Sequence, residues 1–89
     1  MIVGYAHLKP IGDGYDLIYI GVRKEQRRRG IARKMLDKLI SFTSEKPIML
    51  EVRKSNAAAI KLYESAGFKV ISEREKYYSD GEDAWIMKR

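Results

Sequence analysis

The apolar pattern of this chain changes period at Gly30, and that change limits what the chain can become. Before it, Asp16-Leu17-Ile18-Tyr19-Ile20-Gly21-Val22 is a β-branched and aromatic run that predicts a buried strand. After it, Ile31, Met35, Leu36, Leu39 and Ile40 recur at helical spacing as one apolar stripe. Between the two lies Gln26-Arg27-Arg28-Arg29-Gly30-Ile31-Ala32. A strand that turns this abruptly into a helix leaves the first helical N–H groups without intrahelical partners. The helix dipole adds about half a positive charge at the same place. Gly30 admits close backbone approach, and Ala32 keeps the first turn uncrowded. Arginines bring fixed charge and forked donors suited to phosphate. Such a junction is suited to a phosphate or pyrophosphate.

Composition alone equally allows a solvated charged face. Seven of the 18 Lys and Arg residues fall between Arg23 and Lys34, where Glu25 is the only acid. The net charge of +6 favours a polyanionic partner, either nucleic acid or a multiply phosphorylated small molecule. Eighty-nine residues are expected to make one domain, spanning 1–89. The absence of Cys excludes a disulfide framework, a thiolate zinc site and a cysteine nucleophile. No apolar run approaches the roughly 18 residues that cross a bilayer, and no leader of signal-peptide type opens the chain. The expected setting is the cytoplasm, without a membrane partner.

The elements alternate along the chain. Ile2 to Leu8 predicts a strand, Pro10-Ile11-Gly12-Asp13-Gly14 a turn, and Tyr15 to Val22 the hairpin partner. A helix is expected from about Gly30 to Thr43, a strand from Ile48 to Arg53, and a second helix from about Asn56 to Ala66. Gly67 stands where a left-handed helix stop is usual, with Phe68 beyond it. Lys69 to Glu75 and Ala84 to Lys88 are the last strands, separated by a turn at Ser79-Asp80-Gly81. The order is β-β-α-β-α-β-β, a mixed sheet in an α/β domain with both helices available to cover it.

Two constellations could carry chemistry. Alternation in Ile48–Arg53 puts Ile48, Leu50 and Val52 on one face and Met49, Glu51 and Arg53 on the other. Glu51 is then either an ion-pair partner of Arg53 or a general base acting on an amine through water. An α-amino group, with a pKa of about 8 against about 10.4 for lysine, asks less of such a base. Asn56 and Tyr63 are seven residues apart, close to two helical turns, with small Ala59 between them. That line suits a narrow acyl-carrying arm; an Asn cap and a rim tyrosine are the structural alternative. A phenol near pKa 10 stays protonated at neutral pH and can donate. His7 is the one histidine and reads as a surface or satisfied strand residue. Asp80, Glu82 and Asp83 match no cation-binding loop and read as a solvated turn, so no metal is expected.

Arg27-Arg28-Arg29-Gly30-Ile31-Ala32 resembles the Q/R-x-x-G-x-G/A signature of the GNAT acetyltransferases, which hold acetyl-CoA by its pyrophosphate. Leu50-Glu51-Val52-Arg53-Lys54-Ser55-Asn56-Ala57-Ala58-Ala59-Ile60, continuing through Leu62-Tyr63-Glu64-Ser65-Ala66-Gly67-Phe68, is similar to the RimI-type protein N-α-acetyltransferases. Tyr77-Tyr78 followed by Asp80-Gly81-Glu82-Asp83-Ala84 looks similar to the same group. The resemblance covers nearly the whole chain from Tyr15 onward.

It implies a truncated GNAT-like mixed sheet and acetyl transfer to the N-terminal amine of a protein or peptide, as in the group member that modifies a ribosomal protein. By resemblance, Arg27, Arg28, Arg29, Gly30, Ile31, Ala32 and Arg33 bind the cofactor's phosphates, and Asn56 its pantetheine arm. Backbone of Ile20, Gly21 and Val22 offers N–H groups to the same arm and to the thioester carbonyl. One such donor aimed at a developing oxyanion is worth about 3 kcal/mol. Gly21 suits a close approach, and equally a plain bulge. Glu51 is the implied base, Tyr63 the implied acid, and Tyr77 and Tyr78 line the acceptor groove or stand as exposed loop tyrosines. The mechanism expected is direct attack without an acyl-enzyme.

Against the family pattern, a strand, two helices and another strand that normally precede the hairpin are missing. That segment forms one wall of the acceptor groove. Its absence leaves the first strand as an open edge through which a homo-oligomer could form. The competing readings are a GNAT acting on a small-molecule or lysine amine, and a catalytically silent CoA-binding or assembly module. A nucleic-acid-binding domain has no supporting motif here.

Overall fold

The computed structural model describes residues 4–22, 30–44 and 46–89. Its elements are β1 (Gly4–Ile11), β2 (Gly14–Val22), α1 (Ile31–Phe42), β3 (Ile48–Arg53), α2 (Ala57–Ser65), β4 (Lys69–Arg74) and β5 (Ala84–Lys88). They fall into two compact units, Met1–Ile48 and Met49–Arg89.

In the first unit β1 and β2 form an antiparallel hairpin, and α1 packs against both strands. β1 runs through Pro10 to Ile11, so the turn expected over Pro10–Gly14 shrinks to Gly12 and Asp13. Proline is tolerated because β1 pairs on one side only among the described strands, where a missing N–H costs no ladder bond. His7 lies opposite Tyr19 and Leu8 opposite Leu17, which leaves Ile18 as an extra residue in β2. The irregularity is therefore at Ile18; Gly21 sits in register with Tyr5.

The predicted stripe of α1 is realised with Leu36 fully buried and its neighbours on that face half-buried. The helix ends at Thr43, whose buried hydroxyl donates to the Ile40 carbonyl at 2.8 Å. The returning chain is fastened to the hairpin where the Tyr15 N–H donates to the Pro47 carbonyl at 2.9 Å. A Cβ at Gly14 would stand 2.5 Å from that carbonyl oxygen, so this crossing requires glycine.

In the second unit β5 lies between β3 and β4, antiparallel to each. The alternation expected of β3 holds: Ile48, Leu50 and Val52 are buried, while Met49 and Glu51 are exposed and Arg53 is half-exposed. Leu50 pairs with Met87, both nearly inaccessible to water. β4 ends at Arg74 and is exposed along its whole length. Between Val70, opposite Met87, and Ser72, opposite Ile86, Ile71 is an extra residue that breaks the edge ladder.

α2 is closed at its C-terminus by three features. Phe68 donates its N–H to the Tyr63 carbonyl and Gly67 donates to Glu64, each at 3.0 Å, across a Gly67 φ of 95°. That pair of bonds is a Schellman stop, which only glycine makes without strain. The apolar contact that accompanies it joins Tyr63 to Phe68, ring centroids 5.7 Å apart. Arg89 Nε then donates to the Ala66 carbonyl at 2.9 Å.

Candidate active site

Each unit carries its own share of the expected site residues. In the first, Gly30 is the N-cap of α1 at φ 71°, ψ 10°, with no side chain capping the helix and no acid in its first turn. A Cβ at Gly30 would meet nothing within 4 Å among the described residues, which leave the space beside the cap open. The Lys34 N–H is satisfied by the Gly30 carbonyl at 3.1 Å, and the N–H groups before it carry the free end of the dipole. Ile31, Ala32 and Arg33 form that turn; Arg33 also pairs with Asp37 at 2.9 Å along the helix. Arg27, Arg28 and Arg29 lie outside the described residues. Ile20, Gly21 and Val22 are regular strand, opposite Ala6, Tyr5 and Gly4.

In the second unit Glu51 is exposed in the middle of β3, opposite Ile86. Of the two readings of Glu51, the ion pair with Arg53 is not what forms. Arg53 Nη1 instead donates to Asp80 Oδ2 at 2.6 Å and to Glu82 Oε1 at 3.0 Å. The antiparallel pairing of Arg53 with Ala84 brings the chain just before Ala84 beside the end of β3. Arg53 thereby finds its carboxylates 27 and 29 residues along the chain rather than two residues back on its own face.

Asn56 caps α2, its Oδ1 accepting from the Ala59 N–H at 3.1 Å. This is the cap role read from the sequence, and it satisfies an otherwise orphaned donor. Tyr63 is buried at the last turn, held there by the Schellman stop. Burial first, and the nearby Tyr78 second, raise the Tyr63 phenol above its ordinary pKa. A phenol so placed keeps its proton throughout the neutral range.

Tyr77 and Tyr78 are not partnerless loop residues. Their rings meet edge-on at 5.0 Å, with an interplanar angle of 85°. The Arg53 guanidinium lies 4.0 Å over the Tyr78 ring, and Arg74 lies 5.3 Å from the Tyr77 ring. Tyr78 also has its pKa raised, by burial first, with Arg53 opposing and Tyr77, Glu51 and Glu82 adding to the rise. Glu51, Tyr63 and Tyr78 thus stand within electrostatic reach, Tyr78 of each of the other two.

The acidic turn is likewise not merely solvated. Glu82 Oε2 accepts from the Ser55 N–H at 2.9 Å, and Asp83 Oδ1 from the Lys76 N–H at 2.9 Å. Lys54 pairs with Glu73 and lies 3.6 Å from Asp83, with its ammonium 4.2 Å over the Trp85 ring. Arg53, Lys54, Glu73, Glu82 and Asp83 were not singled out as a group in the sequence. The signal that finds them is the β3–β5 register, which sets a basic pair against an acidic run, together with the β4–β5 register that brings in Glu73 opposite Trp85.

The matching family is described as the Acetyltransferase (GNAT) family, and residues 1–68 of this chain match it. The chain belongs to the GNAT family. This GNAT domain is 39% identical to the N-alpha-acetyltransferase RimI of Mycobacterium tuberculosis, over 99% of the chain and 59% of that protein. The crystal structure of the ribosomal-protein-S18-alanine N-acetyltransferase from Escherichia coli superposes with a TM-score of 0.88 at 40% identity, covering 97% of the chain and 59% of that structure. A complex of Arabidopsis thaliana Naa50 with the bisubstrate analogue CoA-Ac-MVNAL superposes at 0.83 and 25% identity, covering 98% and 64%. The GNAT chain therefore spans about 60% of the length of these relatives. Among the described residues, five strands and two helices follow the α/β element order expected. Among the described residues, no helix is long and apolar enough to cross a membrane.

Proposed function

We propose that this chain is the acyl-transfer part of a protein N-α-acetyltransferase that uses acetyl-CoA. The observation that carries the reading is the identity of about 40% to RimI-type enzymes over almost the whole chain. The capless, acid-free start of α1 beside an open Gly30 fits the phosphates of CoA. Gly30, Ile31, Ala32 and Arg33 would hold them together with Arg27, Arg28 and Arg29. Asn56 and the Ile20–Val22 backbone would serve the pantetheine arm. Bound acetyl-CoA brings an activated thioester, whose C–S bond breaks as the acceptor nitrogen forms its new C–N bond.

Glu51 takes the proton from the acceptor amine, directly or through water. Tyr63 gives its phenolic proton to the departing sulfur; burial keeps the phenol protonated at neutral pH, so the proton is in place when the thiolate forms. Tyr77 and Tyr78 form the acceptor side. The neighbour crystallised with CoA-Ac-MVNAL supports a peptide N-terminus as acceptor. The relative acting on ribosomal protein alanine supports a ribosomal acceptor and, with it, a cytoplasmic setting.

The test is acetyl transfer to short peptides with free N-termini, beside the same peptides blocked at the N-terminus and carrying lysine. Preference for the free N-termini is expected. Preference for the blocked peptides would overturn the assignment, and binding of acetyl-CoA without transfer to any amine would mark a catalytically silent module.

A further inference from the structure

We infer that Arg53 is a positioning residue for the acceptor: its guanidinium, fixed by Asp80 and Glu82, holds the Tyr77–Tyr78 pair in place. The inference rests on the reading of this chain as an N-α-acetyltransferase. It concerns a residue that touches neither reacting atom in that scheme.

The argument begins at the end of β3. Arg53 leaves the strand beside Ala84, its partner in β5, so its side chain meets the segment that precedes β5. Three contacts then meet at one guanidinium: Asp80 at 2.6 Å, Glu82 at 3.0 Å, and the Tyr78 ring at 4.0 Å. A planar cation can accept this arrangement because its edge donates to carboxylates while its face covers an aromatic ring. Lysine offers the charge without the plane. The edge contacts of Arg53 thus fix the plane against which Tyr78 rests, and Tyr78 in turn holds Tyr77 edge-on at 5.0 Å.

The loop carrying the tyrosines is held independently from its other side. Lys76 adopts φ 51°, a left-handed conformation that is strained for a residue with a side chain. Its N–H is held by Asp83 at 2.9 Å, immediately before Tyr77 in the chain. Within the loop, Tyr78 N–H donates to the Glu82 carbonyl at 3.2 Å and Gly81 N–H to the Tyr78 carbonyl at 2.9 Å. Glu82 adds a second function by accepting from the Ser55 N–H, one residue before the α2 cap. The same acid therefore ties the tyrosine loop to the segment leading into the helix that carries Tyr63. Every one of these contacts lies within Met49–Arg89.

Exposed ion pairs such as these add little to global stability, and salt screens them. What they provide is orientation. A preformed aromatic pair spares the acceptor the cost of ordering it on binding.

The experiment compares wild type with Arg53→Met, Arg53→Lys and Glu82→Gln, using a peptide with a free N-terminus at saturating acetyl-CoA. Arg53→Met should raise the acceptor KM about tenfold while leaving the acetyl-CoA KM and the melting temperature nearly unchanged. Arg53→Lys should recover part of that loss, and Glu82→Gln should lose less than Arg53→Met. Raising salt should raise the acceptor KM of wild type more than that of Arg53→Met. In near-ultraviolet circular dichroism the tyrosine signal should weaken in Arg53→Met, whether or not a substrate is present. An active wild type with an unchanged acceptor KM in Arg53→Met would overturn the inference, as would a uniform loss in every constant together with a fallen melting temperature. A wild type that transfers acetyl to no amine would instead overturn the enzymatic reading itself.

Discussion

The Arg53 guanidinium lies 4.0 Å over the Tyr78 ring while its Nη1 is shared between Asp80 and Glu82. One consequence concerns Glu51. The nearest cation in its own strand is already committed to Asp80 and Glu82, so it does not tie up Glu51, the proposed base. Glu51→Gln should therefore lower turnover by roughly 10²–10⁴-fold near neutral pH. The deficit should shrink as pH rises past about 8, where more of the acceptor amine is already neutral. A pH profile of kcat for both proteins checks this; a deficit constant across pH would remove Glu51 from the base role.

Tyr63→Phe should separate chemistry from binding. The ring packs against Phe68 and stays buried in either form, so the fold and the acetyl-CoA affinity should survive. Turnover should fall by about 10²-fold or more, because the hydroxyl matters when the thiolate leaves. Calorimetric titration with acetyl-CoA beside steady-state rates reads both quantities.

Gly30 offers a graded test of the phosphate turn. Gly30→Ala meets no neighbour but must hold φ 71°, so it should cost about 1 kcal/mol in stability through backbone strain. Gly30→Trp should in addition fill the open space and abolish acetyl-CoA binding. With Gly30 intact, replacing Arg28 and Arg29 with Ala should weaken acetyl-CoA binding, and raising salt should weaken it further, because exposed charge–phosphate contacts are screened. Unchanged affinity in Gly30→Trp would exclude this turn as the anchor.

Acid should loosen the second unit first around its turn. Hydrogen bonding from the Glu82 N–H, then Arg53, lowers the pKa of Asp80; Ser55, then Arg53, lowers that of Glu82. The Lys76 N–H lowers that of Asp83. Each folded carboxyl therefore binds fewer protons than its unfolded form. Their stabilisation is present above the ordinary carboxylate range of about 3.9–4.3 and is lost as pH falls through the depressed folded values. Melting temperature against pH should drop below about 4, and Asp83→Asn should flatten part of that drop.

Much of this molecule was legible because its signals are local. The Ile48–Arg53 strand stands where its alternation puts it, Ala84–Lys88 is the last short strand expected, and Asn56 and Gly67 bracket α2 as their chemistry predicts. Misreadings arose where pairing decides. Pro10 reads as a turn residue until β1 is known to pair on one side, which lets it remain strand. Arg53 reads as the partner of Glu51 because alternation reports only one strand. The β3–β5 register, which brings Asp80 and Glu82 to Arg53, is invisible to it. The same register turns three acids that look solvated into ligands of backbone N–H groups and cations.

The bare start of α1 has a consequence for the protein's lifetime. Most helices carry a serine, threonine or acidic side chain that closes their first turn, and among the described residues neither that cap nor an acid is present here. An incoming pyrophosphate would complete the helix, so ligand occupancy and folding become one equilibrium. At a concentration 100 times its dissociation constant, such a ligand adds about 2.7 kcal/mol to the folded state. If the acyl donor binds there as proposed, the chain should resist proteolysis best when that donor is abundant, and its steady-state amount would follow the donor's supply.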